Sequence, residues 1–414
     1  MISILHTSDW HLGQTFFGYD RYKEHQDFLE WLKVTLIKEE IDVLLLSGDV
    51  FDVSNPSAQS QKQFYQFIQE ATSVLPQLQL VITAGNHDSP SRLEAPIPIL
   101  SDRKVVIKGV VKKLEGEIDY DDLIVPLYNS KNKISAFCLA VPFLRQGDYP
   151  RVDANNPYAA GVRKLYEELI KRSSELKSDD IGVVAMGHLQ ALGSEIAERD
   201  YSEKTIIGGL ECVSPDLFSN LNYTALGHIH KAQRLSKMEH VRYSGSPLPM
   251  SFAEKYYKHG VVKVVIDKGQ TVSIDKIEYQ PLAKLISIPP KGSLEVEDML
   301  LQLESLPILD LDNKDNLPFL EIKVNLREPE PMLGQRVNEA LKDKAVRLTR
   351  IQNEYRLANQ HAKDKEAILG LDDFTPLAIV KDTFMTNYGE EMPSSLIKLF
   401  DEVCLDLHTK EEER

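Results

Sequence analysis

Leu44-Leu45-Leu46-Ser47-Gly48-Asp49-Val50-Phe51-Asp52 sets the reading of the whole chain. From Ile41 to Leu46 only Asp42 interrupts an apolar run, as expected of a strand buried on both faces. The run ends abruptly in Gly-Asp-x-x-Asp. The same arrangement recurs outward in both directions. Ile2 to Leu5 precedes Asp9-Trp10-His11, and Leu78 to Thr83 precedes Gly85-Asn86-His87-Asp88. Ile181 to Met186 precedes Gly187-His188, and Thr224 to Leu226 precedes Gly227-His228-Ile229-His230. Between the runs, Phe28, Leu32, Thr35, Leu36 and Glu39 follow helical spacing, as do Phe64, Phe67, Ile68 and Ala71. Strands alternating with amphipathic helices make an α/β core, and such sheets bind ligands beyond the carboxyl ends of their strands.

The five clusters share one chemistry. All offer oxygen or imidazole nitrogen, and none offers sulfur, a set that suits manganese, iron, zinc or magnesium. In extended Asp-x-His and His-x-His, alternate side chains point the same way, so both members of a pair can reach one site. The glycine before a ligand lets the backbone turn tightly at a crowded centre. Taken singly, each cluster has an ordinary reading: a loop histidine, an Asx turn at Gly85 to Asp88, a helix cap at Asp49 or Asp52. The weight lies in their order, each after a strand.

Composition narrows the rest. At 414 residues, with 42% hydrophobic and 27% charged, the chain can bury a large core in about two or three domains. A net charge of −15 argues against coating nucleic acid by bulk charge. Cys138, Cys212 and Cys404 form no CxxC pair, which fits a reducing compartment. Met1 to Leu5 leads directly into His6 and does not read as a signal peptide, and no apolar run approaches the ~20 residues of a bilayer span. A soluble cytoplasmic protein is expected.

In motif order (D-x-H, G-D-x-x-D, G-N-H-D, G-H, G-H-x-H) the sequence resembles the calcineurin-like metallophosphoesterase superfamily. Tyr223 to Lys231 followed by Tyr243-Ser244-Gly245-Ser246-Pro247-Leu248-Pro249 is similar to its nuclease branch, the SbcCD-type nuclease subunits of bacteria. The resemblance implies an α/β fold. It would be a metallophosphoesterase β-sandwich flanked by helices, with a small α+β capping domain and C-terminal helices. It implies two divalent ions, manganese first and magnesium second. One ion would be held by Asp9, His11 and His230 and the other by Asn86, His188 and His228, with Asp49 bridging. Two such ions, ~3.5–4 Å apart, can clamp the attacking and leaving oxygens of an in-line displacement. They outweigh the charge of Asp9 and Asp49, so the site attracts a phosphodiester. His87 would contact the scissile phosphate and help the leaving group depart. Asp52 is a candidate to orient His87 or, alternatively, a helix cap. Asp88 reads as a turn residue, and His6, His25, His240, His259, His361 and His408 as surface or packing histidines.

Beyond the motifs, Gln14 to Lys23 is rich in aromatic and basic residues. It makes Phe17, Tyr19 and Arg21 candidate DNA contacts, with Arg145 from a second basic segment. Three regions are expected: a nuclease domain over 1–275, a β-α-β capping domain over 280–330, and a helical ATPase-subunit-binding region over 335–414. In the last, Val337, Leu341, Leu348, Ile351, Tyr355 and Ala358 form a stripe on one long helix. Two short helices follow, striped by Leu377-Val380-Phe384-Tyr388 and Leu396-Phe400-Val403-Leu407. Phe384 and Phe400 are candidate contacts to a partner, the alternative being that these helices pack on their own domain. The family implies a nuclease in DNA repair and recombination. It would act as a 3′-5′ exonuclease on duplex ends and an endonuclease on single strands and hairpins. Its ATPase partner would bind ATP, because this chain has no GxxxxGK[ST] loop. A homodimer is expected through Ser57 to Glu70 and Pro90 to Leu100. The alternatives are a phosphatase or small-molecule phosphodiesterase of the same fold, and a non-enzymatic adaptor.

Overall fold

The computed structural model describes residues 1–100, 103–195, 212–309, 316–326 and 330–355, with 381, 384, 385, 392, 393, 396, 397 and 400. The chain divides into two compact units, Met1–Tyr355 and Arg356–Arg414.

In the first unit the chain runs β1 (Ile2–Thr7), α1 (Tyr22–Lys38), β2 (Val43–Ser47), α2 (Ala58–Val74), β3 (Gln79–Thr83) and β4 (Val105–Lys108). It continues through β5 (Ile124–Tyr128), β6 (Ile134–Ala140), α3 (Pro157–Leu176), β7 (Gly182–His188), β8 (Tyr223–Gly227), β9 (Gln233–Leu235) and β10 (Met238–Tyr243). It then returns through β11 (Gly260–Asp267) and β12 (Gln270–Glu278). Two six-stranded sheets result, in the orders β12-β11-β1-β2-β3-β4 and β9-β10-β8-β7-β6-β5. β1 to β4 are parallel, as are β6, β7, β8 and β10, so each sheet presents several carboxyl ends on one rim.

The sequence pattern explains the layering. β2 is apolar on both faces and buried throughout. Its Val43 and Leu45 face the other sheet, with Ile2, Ile4 and Val81 against Cys138, Ala140, Val184, Met186 and Ala225. The opposite face is covered by α1 and α2 through Phe28, Leu32, Leu36, Phe64, Phe67 and Ile68, around the fully buried Trp10. α3 covers the second sheet with Val162, Leu165, Tyr166 and Leu169. Helix starts follow local chemistry. Ser57 accepts from the Ser60 amide at 3.1 Å, and Asn156, just before Pro157, accepts from the Ala159 amide at 3.0 Å. The α/β sandwich flanked by helices is therefore as expected. Among the described residues, no helix is long and apolar enough to cross a membrane.

The small domain continues further than 330. β13 (Leu285–Ile288), α4 (Val296–Glu304), β14 (Phe319–Leu326), α5 (Leu333–Ala340) and β15 (Arg347–Tyr355) form a three-stranded parallel sheet in chain order. The single long helix from Val337 onward is thus corrected: it stops at Ala340, and the next stretch is a strand. The physical reason is a bulge. Leu320 pairs with Leu348, but Glu321 pairs with Arg350, so Thr349 is an extra residue. Leu348 and Ile351, three apart, then lie beside Leu320 and Ile322, two apart, on one face. A bulged strand here imitates the i, i+3 spacing of a helix. Ala358 and most of the two terminal stripes lie outside the described residues.

Three histidines outside the metal motifs, His6, His25 and His259, are buried. Burial pushes their pKa values down from 6.5, to about 3, about 3 and about 4 respectively. The unfolded chain takes up protons near 6.5 that the folded chain refuses, so this stability is complete above that pH and is lost as pH falls toward 4. At pH 5 each costs about 2 kcal/mol. In excess chelator, the urea midpoint is expected to fall steeply from pH 6.5 to 5. A flat profile would contradict the neutral buried state.

Candidate metal centre

The loops after β1, β2, β3, β7 and β8 converge on one rim. The first two are zipped by backbone hydrogen bonds: the amides of Asp9, His11 and Leu12 donate to the carbonyls of Gly48, Asp49 and Val50 at 3.0, 3.0 and 2.9 Å. These loops are not extended. Asp9, His11, Asp49 and His228 all have positive φ, at 55°, 47°, 49° and 99°. The expectation that alternation along a strand aims the pairs is therefore corrected. The strands have ended, and left-handed turns fold the side chains inward. Such conformations cost a non-glycine residue roughly 1–2 kcal/mol each and cluster where function requires them. Two glycines make the approach possible. A Cβ on Gly227 would stand 1.9 Å from the Ser47 carbonyl oxygen, and one on Gly85 would stand 2.3 Å from the Asp49 nitrogen.

Donor atoms gather in two main groups, and His11, Asp52 and His87 make a further cluster beside them. Asn86 Oδ1 lies 2.9 Å from His188 Nε2 and 3.0 Å from His228 Nδ1. In the other group, ligand atoms of Asp9, His11 and His230 lie within 4.8 Å of one another. Asp49 sits between, its Oδ2 3.3 Å from His188 Nε2 and 3.7 Å from His11 Nε2. Both ring nitrogens of His11 are buried without a hydrogen-bond partner, and a bound cation would satisfy one of them. These residues fit two divalent ions: all donors are oxygen or imidazole nitrogen, and the Asp49 carboxylate reaches toward both groups, with Asp9 within 4.8 Å of His188 as well.

The surroundings orient the ligands. The His188 Nδ1–H donates to the Ser47 carbonyl at 2.9 Å, turning Nε2 toward Asn86 and Asp49. Ser8 Oγ donates to Asp9 Oδ2 and sits 2.8 Å from Ser244 Oγ. His230 Nδ1 lies 3.0 Å from Glu254 Oε1, which leaves Nε2 for an ion. Asp88 is buried and accepts from the amides of Val50, Phe51 and Gly85, stapling two ligand loops together. Electrostatics follow the packing. Burial works against the charge of Asp49, yet His188, His11 and His87 hold its carboxyl far below the usual range. Burial also opposes the charge of His188, but Asp49 overcomes it and raises the pKa to about 9. Burial, with His188 alongside, pushes His228 down to about 3.

His87 stands beside this centre, its ring centroid 4.9 Å from that of His11. Its Nδ1 is 2.7 Å from the Asp52 backbone carbonyl, and its amide donates to Asp49 Oδ1 at 2.9 Å. Asp52 thus holds His87 through its main chain, while its carboxylate lies 3.3 Å from His11 Nδ1. The cap reading of Asp52 is corrected, since Ser57 caps α2.

The expected DNA contacts divide. Arg21 is corrected: it is 1% exposed, bound to Glu24 and Gln14 at 2.8 Å and to the Pro249 carbonyl at 2.7 Å, and reaches no solvent. Its charge is spent on a buried clamp. Tyr19 is half-buried and donates to the Leu348 carbonyl of the small domain at 2.9 Å. Phe17 is 45% exposed. Arg145 is half-buried, its guanidinium 5.4 Å from the Phe143 ring, which meets the His188 ring at 6.2 Å. Phe384 and Phe400 are helical and half-buried, and most of their stripes fall outside the described residues. Glu254 was not legible as a site residue, because a lone Glu in Ser251-Phe252-Ala253-Glu254 carries no spacing signal. Ser244 lies in a stretch already singled out, and its place beside Ser8 gives that stretch a role.

Residues 2–232 match the family model described as calcineurin-like phosphoesterase, and residues 281–387 match one described as type 5 capsule protein repressor C-terminal domain. A protein of Rhodobacter capsulatus, named as the SbcD component of the nuclease SbcCD, is 34% identical over 83% of this chain and 85% of its own length. The Escherichia coli K12 protein of the same name is 31% identical over 68% of this chain and 70% of its own. A dimetal phosphatase structure from Danio rerio aligns with a TM-score of 0.38 at 11% identity, over 67% of this chain and 99% of that one.

Proposed function

Because the chain belongs to the calcineurin-like phosphoesterase family, among the SbcD components of SbcCD nucleases, we propose that it is the nuclease subunit of a DNA-processing complex. It hydrolyses phosphodiesters of DNA in the cytoplasm, as a 3′-5′ exonuclease on duplex ends and an endonuclease on single strands and hairpins. The observation that carries this reading is the convergence of Asn86 Oδ1, His188 Nε2 and His228 Nδ1 within 3.0 Å contacts, with Asp49 between them and His11. Asp9, His11 and His230 would hold one ion and Asn86, His188 and His228 the other, with Asp49 reaching both. The ions would supply Lewis-acid stabilisation of the charge that develops on the phosphoryl oxygens. Manganese is favoured over magnesium because four of the seven ligands are imidazoles.

The chain's own residues do the rest. The His87 Nδ1–H donates to the Asp52 carbonyl, which fixes the ring; as the doubly protonated imidazolium, His87 also carries a hydrogen on Nε2, and it hands that proton to the departing oxygen and becomes the neutral Nδ1–H form. Arg145, over the Phe143 ring that in turn meets His188, supplies a cation for a neighbouring phosphate. Phe17 offers an exposed ring for a base to stack on. The terminal stripes carrying Phe384 and Phe400 bind an ATPase partner. Pairing of two copies uses Ser57 to Glu70 and Pro90 to Leu100, where Ile99 is 84% exposed.

The test is cleavage of hairpin DNA with Mn²⁺ or Mg²⁺, with and without the ATPase partner and ATP. Cutting that is strongest with Mn²⁺, abolished by chelator and extended to duplex ends by the ATPase is the expected result. Full activity in excess chelator overturns the reading.

A further inference from the structure

Among the described residues, the small domain meets the sandwich beside the donor group of Asp9, His11 and His230. After His11, the chain enters the segment whose Phe16 packs on Phe319 at 4.8 Å and on Phe252 at 5.5 Å. Arg347 stacks on Phe319 at 3.6 Å, and Arg350 lies 5.4 Å from Phe17 and 5.5 Å from Phe252. A second arm leads to His230. Glu254, 0% exposed, accepts from the Met250 amide at 2.9 Å and faces His230 Nδ1 at 3.0 Å. It closes the short turn Phe252–Glu254, so its neighbours on that turn are junction residues. Phe252 packs in the aromatic cluster. Lys255 Nζ donates to Ser287 Oγ at 2.9 Å, Ser287 donates to Glu321 at 2.9 Å, and Arg350 Nε donates to the same carboxylate at 2.6 Å. Ser287 and Glu321 are buried. His188, in the other group, is braced from within the sandwich by the Ser47 carbonyl.

We propose that Glu254 is a positioning residue through which the small domain controls the ion held by Asp9, His11 and His230, leaving the other ion untouched. The inference rests on the two-ion reading above. Glu254 fixes which nitrogen of His230 carries hydrogen and aims the other, and partners of this kind set metal affinity. Because Glu254 shares a four-residue turn with Phe252 and Lys255, the turn's place is set by the small domain as much as by the sandwich. Shifting the small domain then tilts His230, and through the Phe16 segment it bears on His11. The Asn86 group makes no direct contact with the junction among the described residues; its link to the other group is the His228 amide, which donates to Asp9 Oδ1 at 2.9 Å. One nuclease centre would thus contain a fixed ion and an adjustable one.

Titration of the full-length chain with Mn²⁺ by calorimetry tests this. The wild type should show two binding events. Glu254→Gln keeps the shape and should weaken one of them about 10-fold or more. Lys255→Met breaks the link to Ser287 without stranding a buried charge, and Ser287→Ala breaks it from the other side. Each should weaken the same event by a smaller factor, with the second event unchanged and, in Lys255→Met, the melting temperature unchanged. Two events in the wild type, unaltered in Lys255→Met and Ser287→Ala, overturn the inference, even if Glu254→Gln weakens one. Weakening of both events by the junction variants overturns it too. A wild type that binds no Mn²⁺ overturns the two-ion reading itself and the inference with it.

Discussion

Replacing His87 by asparagine lowers DNA cleavage by a factor on the order of 10²–10⁴ while both ions stay bound. The structure separates the two quantities. The His87 ring is tied to the Asp52 carbonyl at 2.7 Å. Its contribution to the ligand shell is its amide, which supports Asp49 at 2.9 Å and survives the substitution. Asparagine keeps a polar group at the site but cannot hand on a proton. Single-turnover cleavage of a labelled hairpin, alongside metal content of the purified variant, reads both outcomes. Loss of an ion would make His87 a structural support and sink its role as the proton donor.

Asp49→Asn has the wider effect. Asp49 reaches both donor groups, with Oδ2 3.3 Å from His188 and 3.7 Å from His11, and Oδ1 on the His87 amide. The amide has almost the same shape, so the fold stays. The charge that offsets two cations is gone. Loss of several kcal/mol of charge stabilisation corresponds to a fall in cleavage on the order of 10³-fold or more. Manganese per chain should drop in parallel. A variant that retains two ions and cuts DNA within tenfold of the wild type rules out the bridging position.

The residues of the centre were legible because their chemistry repeats. Five strand ends carry the same ligand type, and a strand end is recognisable from the apolar run before it. The aiming of those ligands was not legible. Positive φ at Asp9, His11 and Asp49 goes with the zipping of two loops far apart in sequence, and the His228 amide is held by Asp9 Oδ1 across 219 residues, neither of which local spacing encodes. Arg21 shows the same limit. A basic residue among aromatics reads as a nucleic-acid contact until Glu24, Gln14 and the Pro249 carbonyl are seen around it. Pro249 is 228 residues away. In the small domain a bulge at Thr349 was enough to give a strand the spacing of a helix.

The order of strands in the first sheet has a consequence for biosynthesis. β1 lies between β2 and β11, and β11 begins only at Gly260. Until that hairpin is made, one edge of β1 has no partner, and Ile2 and Ile4 of the inter-sheet core belong to an open strand. At about 5–20 residues per second, the ribosome needs roughly 10 to 50 s to travel from β1 to β11. During that interval the strand leading to Asp9 and His11 is a pairing surface for any other chain. A nascent chain stalled before Gly260 should be captured by holdase chaperones more strongly than one released after Glu278, because β11 and β12 have then closed the edge.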